Sequence, residues 1–461
     1  MTVELAAAVR ALVAEDLASP TAALLAGDDR REYARQQVFA HLDRLADQPI
    51  GSADADRLYD DEQELAQMVL DALFGMGGLQ ALVDDPDIEN IDINGYDRVW
   101  ATYADGSKRL MAPVASSDQE LVDVVRSAAS RFGLSERRFD LARPELDLRL
   151  PDGSRLSALM AVSTRPAVSI RRHRFADLSL DDLVDLGTMG DETASLLGAA
   201  VRARKNIVIS GAMNSGKTTM LRALAAEIAP RERIVTIEQA FELGLDANAD
   251  RHPDMVAVEA RPANVEGEGL ISVADLVRRA LRMNADRVIV GEVLGDEVLP
   301  MLNAMSQGRS GSMCTIHANS SSGVFRRIAS YAVQAPERLP LEASNLLIAG
   351  SINFVVHLDS EALDRAGTGG PEDRRVDRWD EGDGLDDQSS LHFPAQSSRQ
   401  RFVSSIREVV DAEGVQVISN EIARPGADRR AVMATPLRVE TFRELVNFGY
   451  EPSGSMLDGL G

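Results

Sequence analysis

A glycine-rich segment followed by a lysine and two threonines carries the strongest chemical signal in the chain. Gly211, Gly216, Lys217 and Thr218 fit the pattern Gly-x-x-x-x-Gly-Lys-Ser/Thr, which is typical of a P-loop. Glycines allow successive backbone N–H groups to face a phosphate chain, and the lysine can reach the β- and γ-phosphates. The threonine hydroxyl can bind Mg²⁺. The residues predicted to bind a nucleotide are Gly211, Ser215, Gly216, Lys217, Thr218 and Thr219.

Acidic residues follow two later apolar runs that have the composition of strands. Glu292 ends the run that starts at Arg287, and Glu238 and Glu242 follow residues 234–237. A carboxylate at the carboxyl end of a strand can orient or deprotonate water, because ligands bind there in open α/β sheets. We predict that Glu292 binds Mg²⁺ and acts on water. We predict that Glu238 and Glu242 contact metal-bound water or the nucleotide, and a solvated acidic loop is the alternative for these two.

One histidine also follows an apolar run. His317 comes after residues 312–316, so it is expected at the same edge of the sheet as the acids. A neutral imidazole close to a γ-phosphate could report hydrolysis, and a purely structural histidine is the alternative. The other five histidines lack the spacing of metal ligands, so the sequence predicts no zinc site.

Strand-like and helix-like runs alternate through residues 192–358. The predicted strands are 206–210, 233–237, 255–258, 287–290, 312–316 and 353–358. This alternation predicts βαβ units, that is, an α/β fold with a mostly parallel sheet and helices on both faces. The P-loop would then join the first strand to a helix, with the acids and the histidine at the carboxyl ends of neighbouring strands.

Changes in periodicity and composition divide the rest of the chain. Apolar residues at three- and four-residue spacing predict helices near the N-terminus, and the turn Asn94-Gly95 between strand-like runs predicts a hairpin. An acidic segment rich in Gly, Ser, Pro and Gln has too little apolar surface to offset the entropy of ordering. The predicted segments are a helical extension (1–80), an α+β N-terminal domain (81–176), a linker (177–191), the α/β domain (192–358), a disordered acidic insertion (359–400) and a closing strand pair with a tail (401–461).

The overall composition restricts the partners that the protein can bind and the cellular compartment in which it is expected. The 49 basic and 73 acidic residues give a net charge of −24, which disfavours contact with nucleic acid or an anionic lipid surface. The N-terminal residues lack the basic start of a secretory signal, and no apolar run is long enough to span a membrane. Cys314 is the only cysteine, so intramolecular disulfides are excluded and a cytoplasmic location is expected.

Taken together, these motifs resemble the secretion ATPases of the type II and type IV superfamily. The similarity is greatest to the CpaF-like ATPases of tight-adherence (Flp) pilus systems, and it extends over residues 70–420. Several motifs in one order make it far more specific than a P-loop alone. Besides the P-loop, the matching segments are 93–99, 150–156, 169–172, 261–267, 275–283, 290–293 and 315–319.

The resemblance implies a RecA-like ATPase domain preceded by a smaller α+β domain, assembled as a hexameric ring with ATP and Mg²⁺ between the two domains. Glu238 and Glu242 match the family's acidic box, Glu292 its Walker B box and His317 its histidine box. Two arginines, Arg155 and Arg171, match positions from which the N-terminal domain sends arginines to the nucleotide.

The resemblance also implies a role at the cytoplasmic face of a membrane. There the family acts on a platform protein and drives the assembly or retraction of pilin. Two alternatives stay open: an ATPase that moves DNA or another substrate in a conjugation-type system, and a regulatory nucleotide-binding protein with little turnover.

Four positions depart from the family pattern around the catalytic motifs. They are Gln239, Glu268, Leu294 and Arg309. The P-loop itself is unchanged. We therefore expect nucleotide binding to be normal and hydrolysis by the isolated protein to be slow.

Overall fold

The computed structural model divides the chain into two compact units. The first comprises Met1–Arg172 and Glu372–Gln396, and the second comprises His173–Pro371 and Ser397–Gly461. The residues described are 2–19, 22, 25, 27–45, 55–103, 106–132, 138–172, 178–263, 267–306, 310–362, 392–393 and 399–452.

The helices and strands are numbered in chain order. The helices are α1 (Thr2–Leu17), α2 (Gly27–Leu45), α3 (Ala55–Phe74), α4 (Gln80–Asp84), α5 (Asp118–Phe132), α6 (Leu180–Asp185), α7 (Asp191–Arg202), α8 (Lys217–Ala225), α9 (Val273–Ala280), α10 (Val298–Ser306), α11 (Gly323–Gln334), α12 (Leu341–Ser351) and α13 (Val439–Asn447). The strands are β1 (Ile88–Asn94), β2 (Val99–Tyr103), β3 (Lys108–Met111), β4 (Glu145–Arg149), β5 (Arg155–Leu159), β6 (Ala167–Arg171), β7 (Ile207–Gly211), β8 (Ile234–Glu238), β9 (Met255–Glu259), β10 (Arg287–Val293), β11 (Met313–His317), β12 (Phe354–Ala362), β13 (His392–Phe393), β14 (Arg399–Glu413), β15 (Gln416–Pro425) and β16 (Ala431–Met433).

In the first unit, helices α1 to α3 pack together and are followed by a seven-stranded sheet. The helices share a small apolar core that includes Val9, Val38 and Val69. The sheet has the order β13-β3-β2-β1-β6-β5-β4, and its neighbouring strands are antiparallel. Residues in β5 alternate between the core and the opposite face, with Leu156 and Ala158 buried. This alternation is typical of a sheet that covers its core on one side.

The turn between β1 and β2 shows why a glycine stands at position 95. Gly95 has a φ of +82°, in the left-handed region that favours glycine. A Cβ at this position would collide with the guanidinium of Arg165. That guanidinium forms ion pairs with Asp97 and Asp118, each at 2.7 Å, so the turn is fixed against the start of α5.

The second unit contains a nine-stranded sheet in the order β16-β15-β14-β12-β7-β11-β10-β8-β9. The six strands from β12 to β9 in this order run parallel, and β14, β15 and β16 are added antiparallel at one edge. The predicted α/β fold with a mostly parallel sheet is confirmed. Each predicted strand corresponds to one of these six parallel strands, because strands of a parallel sheet covered by helices are predominantly apolar, including β9 at the edge, which is only partly buried.

Two apolar cores lie on the two faces of this sheet. Ile207 and Ile209 contribute to one core, with α7 and α8, while Val208 between them contributes to the other, with α10, α11 and α12. The α9 helix begins at a capping box, in which the side-chain oxygens of Ser272 and Asp275 each accept a hydrogen bond from the other residue's backbone N–H. Because helices cover both faces of the parallel strands, we expect a ligand to bind at the carboxyl ends of these strands.

The structure extends the strands that border the predicted acidic insertion. Strand β12 continues to Ala362, where it pairs with Arg399 at the start of β14. The sequence predicts an end at residue 358, because the residues that follow are polar. Polar side chains are compatible with a strand end that projects beyond the core. Residues 363–391 and 394–398 of the predicted insertion lie outside the described residues.

In the part of the chain that the structure describes, no single helix meets the length and hydropathy expected of a membrane span. A pair formed by Leu65–Phe74 and Gly77–Asp84 meets the criterion only when combined, and it is bent by 110°.

Candidate functional site

The predicted P-loop joins the central strand β7 to helix α8. The loop between them is tightly folded, with Asn214 at a φ of +59° and Gly216 at +91°. A Cβ added to Gly211 would lie 2.6 Å from the carbonyl oxygen of Leu358 and would also collide with Ser215 Oγ. Only glycine therefore fits at the start of the loop.

The loop has the features required to bind phosphate. Helix α8 begins at Lys217, so its first N–H groups and the positive end of its dipole face the loop. Ser215 Oγ is fully buried and has no hydrogen-bond partner among the described residues. A buried hydroxyl without a partner is unfavourable in a folded protein unless a ligand or water satisfies it. Thr218 and Thr219 occupy the first turn of the helix.

Lys217 lies inside this site, where its ammonium contacts a backbone carbonyl and a histidine. Its side chain is largely buried, with a relative exposure of 8%. The ammonium donates a hydrogen bond to the carbonyl oxygen of Ala212 at 2.8 Å, and it lies 3.1 Å from Nδ1 of His317. The lysine predicted to bind phosphate and the histidine of uncertain role are therefore direct neighbours.

His317 also contacts the predicted catalytic carboxylate. Its Nε2 lies 2.7 Å from Oε1 of Glu292. A lysine ammonium can only donate, so Nδ1 of the imidazole accepts from Lys217 and Nε2–H donates to Glu292. This assignment makes the imidazole neutral, with one proton on Nε2. Lys217, His317 and Glu292 thus form one hydrogen-bonded series across the ends of β7, β11 and β10.

The two acids after β8 have different environments. Glu238 is buried, with an exposure of 3%, and its Oε2 accepts hydrogen bonds from the backbone N–H groups of Glu242 and Leu243, both at 2.7 Å. Glu242 is placed by this loop so that its Oε1 accepts from Thr218 Oγ1 at 3.2 Å. Glu238 therefore positions the loop, and Glu242 contacts the P-loop directly.

A buried arginine of α8 binds the carbonyl oxygens of the acidic loop that follows β8. Arg222 of α8 donates from Nε to the carbonyl oxygen of Leu243 at 2.8 Å, and its Nη2 donates to the carbonyl oxygen of Glu242. The acidic loop is thus attached to the helix that follows the P-loop. A displacement of the acidic loop would therefore strain its hydrogen bonds to α8, and a displacement of α8 would strain the same bonds.

The donor set is compatible with Mg²⁺ held mainly by a nucleotide. Among the described residues, no group of three or more His, Cys, Asp or Glu side chains could hold a metal ion by itself. Mg²⁺ keeps several water ligands and is usually bound by one or two protein oxygens together with phosphates. Thr218 would supply such an oxygen, and Glu242, which accepts a hydrogen bond from Thr218, and Glu292 would supply carboxylates.

The two arginines predicted to reach the nucleotide lie in the first unit. Arg155 and Arg171 are direct partners on the neighbouring strands β5 and β6. Their neighbours Leu156 and Ile170 are buried, so the arginines lie on the opposite, exposed face of the sheet. Arg155 forms a weak ion pair with Asp147 at 3.4 Å. The structure brings these arginines together, and their contact with a nucleotide stays a prediction.

Three of the four positions that depart from the family pattern can be located. Gln239 and Glu268 are exposed, and Leu294 has an exposure of 52%. The backbone N–H groups of Leu294 and Gly295 donate to the carboxylate of Glu297. The turn after β10 is therefore fixed through backbone groups, independently of the side chain at position 294. Arg309 lies outside the described residues.

Sequence reasoning missed two residues that border the P-loop. Arg401, on β14, donates from Nε to the carbonyl oxygen of Asn214 at 2.9 Å. His357, on β12, is buried, and its Nδ1 lies 2.9 Å from Ser210 Oγ. Neither residue belongs to a motif, and both reach the loop only because β12 and β14 are placed beside β7. No signal in the sequence could have identified them.

Comparison with known proteins gives the family. Residues 77–409, well over half of the chain, match the family model described as "Type II/IV secretion system protein". The chain belongs to this family. It is therefore a secretion ATPase with a RecA-like domain, as its motifs indicated.

Curated relatives support this assignment at the level of sequence. A putative conjugal transfer protein of Mycobacterium tuberculosis (strain H37Rv) is 35% identical over 304 residues, which cover 64% of this chain and 82% of that protein. The type IV secretion system protein PtlH of Bordetella pertussis is 32% identical over 334 residues, covering 66% of this chain and 94% of PtlH.

Comparison with solved structures finds, among others, two ATPases. The Legionella pneumophila ATPase DotB is 19% identical, with a TM-score of 0.48 over 63% of this chain and 77% of DotB. The VirB11 ATPase of the Brucella suis type IV secretion system is 26% identical, with a TM-score of 0.33 over 67% of this chain and 94% of VirB11. The family assignment rests on the family model and the sequence relatives.

Proposed function

We propose that this secretion ATPase hydrolyses ATP in a homohexameric ring and thereby drives pilin through a membrane platform, as CpaF-like ATPases of tight-adherence pili do. The observation that carries the proposal is the series Lys217–His317–Glu292. It connects the phosphate-binding lysine to the carboxylate predicted to act on water.

Binding of ATP would redistribute the contacts of Lys217. The ammonium now donates to Ala212 and His317, and the β- and γ-phosphates would take over one or both of these hydrogen bonds. His317 would then lose a donor at Nδ1 and could accept a different one. The imidazole would transmit the state of the phosphates to Glu292, which is the reporting role considered for it from the sequence.

Glu292 would orient or deprotonate the attacking water. Its Oε1 accepts from His317 Nε2–H, so the carboxylate is held in one orientation and its other oxygen stays available to water. Mg²⁺, held by Thr218 and the phosphates with Glu292 nearby, would neutralise charge on the phosphoryl group. Glu242 would help to orient Thr218.

The proposed partners follow from the family and from the charge of the chain. We place the ring at the cytoplasmic face of the inner membrane through a platform protein. Arg155 and Arg171 would contact the nucleotide within the assembled ring. The net charge of −24 supports a protein partner over direct contact with nucleic acid.

Two specific observations favour other functions. The relatives include a putative conjugal transfer protein and a type IV secretion system protein, which favours movement of a conjugation-type substrate. The substitutions at Gln239 and Leu294, both exposed beside the site, favour a regulatory protein with little turnover.

The decisive experiment compares nucleotide binding, ATP turnover and assembly. Lys217→Ala should abolish or greatly weaken nucleotide binding, whereas Glu292→Gln should bind ATP normally and lose hydrolysis, because an amide cannot act as a base. Light scattering after size-exclusion chromatography with a non-hydrolysable ATP analogue should give a hexamer. Normal turnover by Glu292→Gln would refute the catalytic assignment, and wild-type binding without Mg²⁺-dependent turnover would favour the regulatory function.

A further inference from the structure

Arg401 contacts the P-loop from a strand that carries no recognised nucleotide motif. It lies near the start of β14, where its Cα partner on β12 is Ser360. Its Nε donates to the carbonyl oxygen of Asn214 at 2.9 Å. Its Cδ lies 3.2 Å from the point where a Cβ on Gly216 would stand, so the side chain lies along the loop up to the start of α8.

The charge of Arg401 is available to a ligand. Its side chain is exposed, and one of its five N–H groups is used on Asn214. The acids on the adjoining end of β12 are paired elsewhere: Asp359 with Arg429, and Glu361 with Arg430 at 3.7 Å. In the described parts of the chain, no carboxylate forms an ion pair with Arg401.

The strand order of the nine-stranded sheet determines which part of a bound nucleotide Arg401 would contact. His317 and Glu292 lie on β11 and β10, on one side of β7, whereas β12 and β14 lie on the other side. The terminal phosphate must lie toward Lys217, His317 and Glu292, where water is activated. A group that approaches from β14 therefore faces the other end of the phosphate chain.

We propose that Arg401 is a nucleotide-binding residue that donates its free guanidinium N–H groups to the α-phosphate of ADP and ATP bound to the same chain. This inference rests on the proposed function of the P-loop and adds a residue to it. Because ADP and ATP share the α-phosphate, Arg401 would contribute equally to the affinity for both. It would take no part in the chemical step.

The first test measures the affinities of Arg401→Ala and Arg401→Lys for ADP and for a non-hydrolysable ATP analogue. A charge-assisted hydrogen bond of this kind corresponds to about a tenfold change in affinity or more. We expect Arg401→Ala to weaken both nucleotides by the same factor and Arg401→Lys to restore part of the loss.

The second test separates contact with the phosphate from support of the loop. ADP in which sulfur replaces an α-phosphate oxygen is compared with ADP, without Mg²⁺, for wild type and Arg401→Ala. Sulfur is a poorer acceptor, so wild type should discriminate between the two ligands and the variant should lose most of that discrimination. A role limited to holding Asn214 would leave the discrimination unchanged.

A matched control variant and the wild-type protein distinguish failure of the Arg401 proposal from failure of the proposed P-loop function. Arg424→Ala removes an exposed arginine from the neighbouring strand β15 and should leave both affinities unchanged. Unaltered ADP affinity in Arg401→Ala, loss of ATP affinity alone, or an unchanged sulfur effect would each overturn the proposal. Failure of the proposed P-loop function would appear instead as wild-type protein that binds neither nucleotide. Thermal unfolding of each variant verifies that it is folded.

Discussion

At the scale of single residues, the site depends on hydrogen bonds whose direction is fixed by chemistry. Lys217 can only donate, which assigns the acceptor nitrogen of His317 and directs its remaining proton to Glu292. The sequence predicted that the lysine, the histidine and the acid would meet at one sheet edge. It could not predict that the histidine lies between the other two, because that depends on the neighbouring placement of β7, β11 and β10.

A buried histidine beside the P-loop should make stability depend on pH. Burial lowers the pKa of His357, and the charge of Lys217 acts in the same direction while Asp359 opposes it. The folded state thus binds a proton less readily than the unfolded chain. Stability should be complete above the unfolded value near 6.5 and fall as the pH decreases below it.

The measurement is the free energy of unfolding in urea between pH 7.5 and 5.0 for wild type and His357→Gln. Glutamine can still hydrogen-bond to Ser210 but does not titrate in this range. We expect the variant to lose a contribution of up to about 1.4 kcal/mol per pH unit from the slope below pH 6.5. An identical slope in both proteins would contradict the assignment.

At the scale of secondary-structure elements, a buried ion pair fixes the start of the strand that carries Glu292. Arg287 is fully buried and binds Glu232 through Nε and Nη2, both at 2.8 Å. It also donates to the carbonyl oxygens of Val201 and Gly311. Burial alone would raise the pKa of Glu232, but the hydrogen bonds and charge of Arg287 outweigh it and hold the pKa below its usual range.

Arg287→Met should destabilise the second unit by about 3–5 kcal/mol, because it leaves the Glu232 carboxylate without its main partner. Arg204 provides a matched control. It approaches the same carboxylate at 3.3 Å but is 43% exposed, so Arg204→Ala should cost under about 1 kcal/mol. Urea unfolding of both variants measures the difference. Equal losses would show that burial of the pair is not the decisive factor.

The strands that the sequence predicts and the one strand end that it does not predict differ in how apolar their residues are. The six parallel strands were visible because strands of a parallel sheet covered by helices are predominantly apolar, including the partly buried edge strand β9. The continuation of β12 to Ala362 was not visible, because polar residues such as Asp359 and Glu361 carry no such signal. Glu238 was predicted at the site from its type, but its role depends on backbone N–H groups, which a sequence does not display.

At the scale of the whole molecule, the question is whether ring assembly brings Arg155 and Arg171 to the nucleotide site. Both belong to the first unit, and as direct strand partners they present two positive charges on one exposed face. If the ring forms as proposed, Arg155→Ala should reduce turnover by about 10³-fold or more in assembled protein, as loss of an arginine finger does. Nucleotide affinity should fall much less.

Turnover is measured at protein concentrations above and below assembly, with nucleotide affinity measured in parallel. Arg138→Ala, which removes an exposed arginine of the same unit, serves as the control and should behave like wild type. If Arg155→Ala reduced the activity of dispersed and assembled protein by the same factor, the arginine would not act through assembly.

The pairing of Ala362 with Arg399 has a consequence for protein engineering and for divergence within the family. The chain leaves the nine-stranded sheet at Ala362 and re-enters it at Arg399, the direct partner of Ala362 on β14. For a flexible connection between two such points, the cost of closure grows only logarithmically, by about 0.6 kcal/mol for each doubling of its length. Related chains could therefore gain or lose sequence here without rebuilding the ATPase core. A fluorescent reporter could be grafted at the same place, provided that His392 and Phe393 remain available to pair with β3.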